Sequence, residues 1–90
     1  MNLEYDLDRS QQLASLEKEI IEALKERGTT GYVSYGFNRQ EGKSYANFSG
    51  RDKDNVEYVF QGMASDLDEH EANRRSLQDL YNKVTDPSDY

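Results

Sequence analysis

The chain has 90 residues, of which 34% are hydrophobic and 32% charged, and its formal net charge is −7. This length predicts a single domain with one thin core, which leaves little room for a deep catalytic cleft. The chain contains no cysteine, which excludes disulfides, thiolate catalysis and all-cysteine zinc sites.

The first apolar pattern predicts a helix over residues 8–27. Asp8 followed three residues later by Gln11 is typical of a capping box at a helix start. Gly28 is the residue type that most often ends a helix. The apolar residues recur at steps of three and four along one predicted face: Leu13, Leu16, Ile20, Ala23 and Leu24.

Three alternating segments, residues 32–38, 43–49 and 56–61, predict strands. The short polar loops between them predict an antiparallel meander. One predicted face is apolar and is expected to be buried; it carries Val33, Tyr35, Phe37, Ala46, Phe48, Val56, Tyr58 and Phe60. The opposite face is expected to carry Tyr32, Tyr45 and Val59 among polar residues.

A second helix is predicted over residues 66–85. Ser65 and Asp66 are alternative N-caps, and the acidic residues that follow suit the positive end of a helix. The expected inner stripe is Leu67, Leu77, Leu80, Tyr81 and Val84. The order helix, three strands, helix predicts an α+β fold with both helices packed on one sheet face, since a three-stranded sheet has nothing else to bury against.

The excess negative charge falls on the two helical segments. Residues 1–28 carry a net charge of −3, residues 29–62 are neutral, and residues 63–90 carry −4. Such an acidic surface either keeps the protein soluble or occupies a basic groove on a partner. Residues 4–8 are expected to be extended, which places alternate acids nearly 7 Å apart. The acids expected to contact a partner are Glu4, Asp6, Asp8, Asp66, Asp68, Glu69 and Glu71.

Tyr32 and Tyr45 are a second candidate contact surface, on the sheet face away from the predicted core. Tyrosine supplies rigid, amphipathic contact area and is enriched at interfaces. The alternative is that these tyrosines reflect the general preference of strands for aromatic residues.

The sequence offers no catalytic or metal-binding pattern. His70 is the one histidine, and Asp66 and Arg74 flank it at four-residue steps. Zinc needs three or four converging nitrogen, sulfur or oxygen ligands, and only acids are left to supply the others. A calcium loop beginning at Asp6 would need glycine where Gln11 stands. We therefore predict no enzyme activity, no cofactor and no metal.

In length, acidity, absence of cysteine and order of elements, the chain resembles the small acidic anti-CRISPR and related anti-defence proteins of bacteriophages. The resemblance covers layout and charge and no shared motif, so it assigns no residue a role. It implies a viral inhibitor that acts in the host cytoplasm, in some members of the group as a DNA mimic.

The leading prediction is a non-enzymatic inhibitor or adaptor that binds a basic surface of a larger, nucleic-acid-handling protein such as a CRISPR effector. The alternative is a small homodimeric structural or regulatory protein whose acids only maintain solubility. The acidic balance disfavours direct binding to nucleic acid or to an anionic membrane. No apolar run approaches the about 20 residues of a membrane span, and no signal peptide is recognised, so a cytoplasmic location is expected.

Overall fold

The computed structural model describes residues 3–86, with side chains from residue 9 onward. The elements are α1 (Leu3–Glu26), β1 (Thr29–Asn38), β2 (Lys43–Asp52), β3 (Glu57–Ser65) and α2 (Glu69–Thr85). The strands form one antiparallel sheet in the order β1-β2-β3. This confirms the predicted α+β layout of a helix, a three-stranded meander and a second helix.

Helix α1 begins at Leu3, five residues before the predicted start at Asp8. Asp8 is therefore inside the helix, and the capping box predicted with Gln11 is wrong. Residues 4–8 are helical and not extended, so the predicted 7 Å spacing of alternate acids does not apply. The predicted end is confirmed within one residue: Gly28 has φ 87°, and its N–H donates to the Lys25 carbonyl at 3.0 Å.

The strands are longer than predicted, because glycines just outside the predicted bounds lie inside the sheet. Gly31 of β1 pairs with Gly50 of β2, and the ladder continues to the pair Thr29–Asp52. A side chain at either glycine would collide with backbone of the neighbouring strand, so glycine permits the close approach here. Strand β3 likewise continues four residues beyond Gln61 to Ser65.

Val56 was predicted to be a core residue, and this is wrong. It precedes β3 and is 49% exposed. The cause is the preceding turn, in which Asp52 Oδ1 accepts hydrogen bonds from the N–H groups of Asp54 (2.9 Å) and Val56 (3.0 Å). Asn55 adopts φ 65° in the same turn. Val56 is therefore held by the turn and does not reach the buried face.

Helix α2 begins later than predicted. Its N-cap is Asp68, whose Oδ2 accepts from the Glu71 N–H at 3.2 Å, so the predicted caps Ser65 and Asp66 are both wrong. Leu67 precedes this cap and is 97% exposed, so its predicted place in the inner stripe is also wrong. The predicted end at residue 85 is confirmed.

The core lies between the helices and one face of the sheet. Helix α2 packs on all three strands, and α1 packs on β1 and on α2. The buried apolar cluster draws on three elements: Ile20 and Leu24 of α1, Ala46 and Phe48 of β2, and Leu77, Leu80 and Val84 of α2. The other face of the sheet is not covered by either helix.

The two helices run side by side in the same direction. Gln12 of α1 contacts His70 at the start of α2, and Arg27 just after α1 donates to the carbonyl of Thr85 at the end of α2. Residue 12 therefore lies level with residue 70, and the first turns of α1 extend past the start of α2. The parallel arrangement places the N-terminal ends of both helices at one end of the molecule.

A buried polar cluster joins α2 to the central strand. Ser44 Oγ donates to Asn73 Oδ1 at 2.6 Å and lies 2.9 Å from Ser76 Oγ. Ser76 in turn donates to the Asn73 carbonyl at 2.9 Å. The predicted stripe contained only apolar residues and missed this cluster, which fixes the position of α2 over β2 through satisfied hydrogen bonds.

Candidate binding surfaces

The four acids predicted as contacts in α2 gather around the start of that helix, where they have structural roles. Asp68 caps the helix, as described above. Asp66 Oδ1 accepts from the Asp68 N–H at 2.9 Å, and the Asp66 N–H donates to the Gly42 carbonyl at 2.9 Å. These bonds hold the turn between β3 and α2 against the β1–β2 hairpin loop.

Three of these four carboxylates also lie beside an arginine. The pairs are Asp66 with Arg75 (3.4 Å), Glu69 with Arg39 (3.9 Å), and Glu71 with Arg74, which donates to both carboxylate oxygens. The hydrogen bond from Arg74 lowers the pKa of the Glu71 carboxyl, with smaller contributions from neighbouring charges. Most of the negative charge at the start of α2 is therefore balanced within the molecule.

The acids of α1 have a different environment. Glu19, Glu22 and Glu26 are exposed and follow one another at steps of three and four residues, so they share one face of the helix. None of the three forms an ion pair with any base among residues 9–86. We call this set the acidic flank. These three acids were not among the predicted contacts, although their spacing is visible in the sequence.

The remaining predicted contacts, Glu4, Asp6 and Asp8, belong to the first turns of α1. Their backbone is helical, and their side chains lie outside the described residues. In the sequence, Glu4 and Asp8 are four residues apart, a step that matches one helix face. The structure thus assigns them to the same helix as the acidic flank.

Glu17 interacts electrostatically with Tyr35 of β1. It differs from the acidic flank in being half-buried. Burial raises the pKa of its carboxyl. Burial also raises the pKa of the nearby Tyr35 hydroxyl, and the charge of Glu17 adds to that effect. Within the described part of the chain, Glu17 has no cationic partner.

The uncovered sheet face carries Tyr32 and Tyr45, as predicted. Tyr32 is 65% exposed and lies in one cross-strand row with Ser49 and Val59, the latter 63% exposed. Tyr45 is half-buried and lies in a second row with Met63, which is 48% exposed. Both rows place apolar surface in solvent.

The two tyrosines do not meet. Tyr45 is four residues from Ser49, the partner of Tyr32, which corresponds to about 13 Å along a strand. The row between them is polar, with Gln61 Nε2 donating to Asn47 Oδ1 at 3.1 Å. The predicted tyrosine surface is therefore two separate apolar spots on one face.

His70 lies between the helices, with Nε2 3.2 Å from Gln12 Oε1. A groove of about 520 Å³ runs nearby between α1 and α2, lined by Gln11, Gln12, Ser15, Leu16, Glu19, Arg74 and Gln78. In the part of the chain that the structure describes, no group of three or more histidine or acidic side chains converges to hold a metal ion.

No family model matches the chain, and neither a curated protein nor a solved structure matches it. Between residues 3 and 86, neither helix combines the length and the apolar character needed to cross a membrane. The α+β fold thus presents two candidate binding surfaces, the acidic flank of α1 and the uncovered face of the sheet.

Proposed function

We propose that this protein is a non-enzymatic inhibitor or adaptor that binds a basic surface of a larger, nucleic-acid-handling protein. The observation that carries the proposal is the acidic flank of α1. Three exposed carboxylates that form no ion pair with a base among residues 9–86 share one helix face. The preceding turns of the same helix add Glu4, Asp6 and Asp8, with no base among the first eight residues. Residues 1–28 together carry a net charge of −3, and this excess attracts a basic partner over long range.

The predicted acidic contacts lay on both helical segments, and the main contact that we propose lies on α1. The acids of α2 cap a helix or pair with arginines, so using them for binding would require those interactions to be exchanged. Binding through the acidic flank would break no ion pair among the described residues. An anti-CRISPR-like action, with these carboxylates in place of nucleic-acid phosphates, is the specific form that we propose for this inhibitor.

Reversing the acidic flank with Glu19→Lys, Glu22→Lys and Glu26→Lys is expected to slow association with the basic partner protein about tenfold or more. Stability should change little, since these side chains form no ion pairs with described residues. The measurement is the association rate constant with the partner protein immobilised on a biosensor surface. It is made at about 0.1 M salt, where exposed charges are only partly screened.

The matched control is Glu41→Lys, Asp54→Lys and Glu57→Lys, which changes net charge equally but lies in the strand loops and at the start of β3. Equal slowing by both triple variants would mean that only net charge matters. Unchanged association in the acidic-flank variant would contradict the proposed contact.

A second candidate function is a homodimer that joins the uncovered sheet faces of two copies. The exposed Tyr32, Val59 and Met63 favour it, because they place apolar surface in water on a face that no helix covers. We expect the double variant Tyr32→Ser, Tyr45→Ser to dissociate such a dimer in sedimentation velocity, while Ser34→Ala on the same face leaves it intact. A wild-type monomer at high concentration would contradict this candidate.

A further inference from the structure

The two edges of the sheet differ in whether side chains bind their outward-facing backbone groups. At the β3 edge, the Met63 N–H donates to Asp79 Oδ2 at 3.0 Å, and Lys83 Nζ donates to the Gln61 carbonyl at 2.9 Å. Asp79 and Lys83 also pair with each other at 3.2 Å. Side chains of α2 therefore occupy outward backbone groups of β3 and block the addition of another strand there.

These bonds also establish which residues of β1 face outward. The N–H and C=O of one strand residue point to the same side, and the side alternates along the strand. Because Gln61 and Met63 face away from β2, the residue between them, Gly62, bonds to its β2 partner Ala46. The next β2 residue, Asn47, then bonds to Ser34 of β1.

The same alternation leaves the odd-numbered residues of β1 with backbone groups that face away from the sheet: Gly31, Val33, Tyr35 and Phe37. No hydrogen bond to these outward groups occurs within the described residues. All ten residues of β1 are uncharged, and none is proline. Natural edge strands are commonly protected by charge, proline or a covering element, so an unprotected edge of this length is a site for strand addition.

Helix α1 leaves space beside this edge. It packs on β1, yet the side chains of β1 beneath it are incompletely covered: Val33 and Phe37 are half-buried, and Tyr35 is 36% exposed. Ile21 on α1 is also only half-buried. An additional strand beside β1 would cover this apolar surface while it satisfied the outward backbone groups.

We propose that the β1 edge binds an extended segment of the partner as a fourth strand, and that this segment carries lysine or arginine on the side facing Glu17. The half-buried carboxylate of Glu17 has no cationic partner among residues 9–86, and a basic side chain from the added strand would supply one. The proposal rests on the proposed function, since it specifies how a basic partner is held.

A second copy of this chain fits the edge less well. Antiparallel pairing of β1 with itself would place both α1 helices on the same side of the joined sheet, next to the shared edge. Each chain carries a net charge of −7, so the pairing would bring like charges together. A basic segment has the opposite charge and lacks the second helix.

The test uses a blocked synthetic peptide of roughly eight residues. Its helix-facing positions carry valine except for one lysine toward Glu17, and the alternate positions carry threonine. Amide hydrogen exchange of the full chain is measured with and without the peptide. The outward amides of Val33, Tyr35 and Phe37 are expected to become protected, while the already paired amide of Ser34 changes little. A peptide with glutamate in place of lysine should protect none of them.

Two variants make the test specific. Tyr35→Pro removes an outward N–H but no bond to β2, and it is expected to weaken peptide binding about tenfold relative to Tyr35→Ala, which retains the N–H. Glu17→Gln removes the charge at constant shape and is expected to weaken the lysine peptide about threefold or more. Glu17→Gln serves as the test if the proline variant fails to fold.

Several results would overturn the inference: no protection of the outward amides, equal binding by the glutamate peptide, or the same protection from self-association without peptide. Its failure is separable from failure of the proposed function. If Tyr35→Pro retains the cellular partner but the acidic-flank variant loses it, the strand-addition mode is wrong and the function stands. If the acidic-flank variant retains the partner fully, the proposed function is wrong.

Discussion

Gly62→Ala is expected to destabilise the protein by about 3 kcal/mol or more, because it forces backbone of β3 and α2 apart. A Cβ at this position would lie 2.5 Å from the Leu80 nitrogen and 2.9 Å from the Leu80 Cα, and it would also collide with the Ser76 carbonyl oxygen. These contacts are with helix backbone, so no side-chain rotation relieves them.

Urea unfolding of Gly62→Ala against Gly36→Ala measures this effect. A Cβ at Gly36 would meet nothing within 4 Å, so that variant should remain within about 0.5 kcal/mol of the wild type. Equal midpoints for the two variants would contradict the close packing of α2 on β3.

Phe48→Ala is expected to cost about 3 to 5 kcal/mol, the range for deleting a buried aromatic side chain. Phe48 is fully buried at the centre of the middle strand, and its ring centroid lies 6.5 Å from that of Phe60. The substitution would leave a cavity between both helices and the sheet, which share this one small core.

The control is Val59→Ala, since Val59 lies on the uncovered face and is 63% exposed. We expect the urea midpoint to fall strongly for Phe48→Ala and to change little for Val59→Ala, with similar slopes. A small loss for Phe48→Ala would mean that the core described here is not the one that stabilises the fold.

The sheet faces were the most predictable part of the structure. Alternation in β2 placed Ala46 and Phe48 inside and Tyr45 outside, because the side-chain period of a strand leaves only two choices. The helical stripe of α1 was equally clear, with Ile20 and Leu24 fully buried. Periodicity therefore predicted the layers and their order.

The element ends were less predictable, because they depend on contacts that a local pattern does not contain. Gly31 and Gly50 are breakers by composition, yet they pair in the ladder. Leu67 matched the helical stripe of α2, but the cap at Asp68 excludes it from the helix. In both cases a specific hydrogen-bonding arrangement overrode residue preference.

The candidate site shows the same limit. Composition identified the acids of residues 66–71 as a candidate site. It did not show that arginines pair with them, because partners such as Arg39, which pairs with Glu69, lie thirty residues away in the sequence. The capping of the β3 edge by Asp79 and Lys83 likewise requires the fold. What distinguishes the acidic flank is the absence of such partners within the described residues, and only the structure shows it.

The most direct test of the central claim is capture of partners from host-cell lysate on the tagged protein at about 0.1 M salt, followed by elution with added DNA or RNA. The wild type is compared with the variant reversed at Glu19, Glu22 and Glu26, and bound proteins are identified by mass spectrometry. We expect a basic, nucleic-acid-binding protein that the wild type retains, that nucleic acid displaces, and that the variant does not retain. Retention of the same proteins by both forms, unaffected by nucleic acid, would contradict binding through the acidic flank.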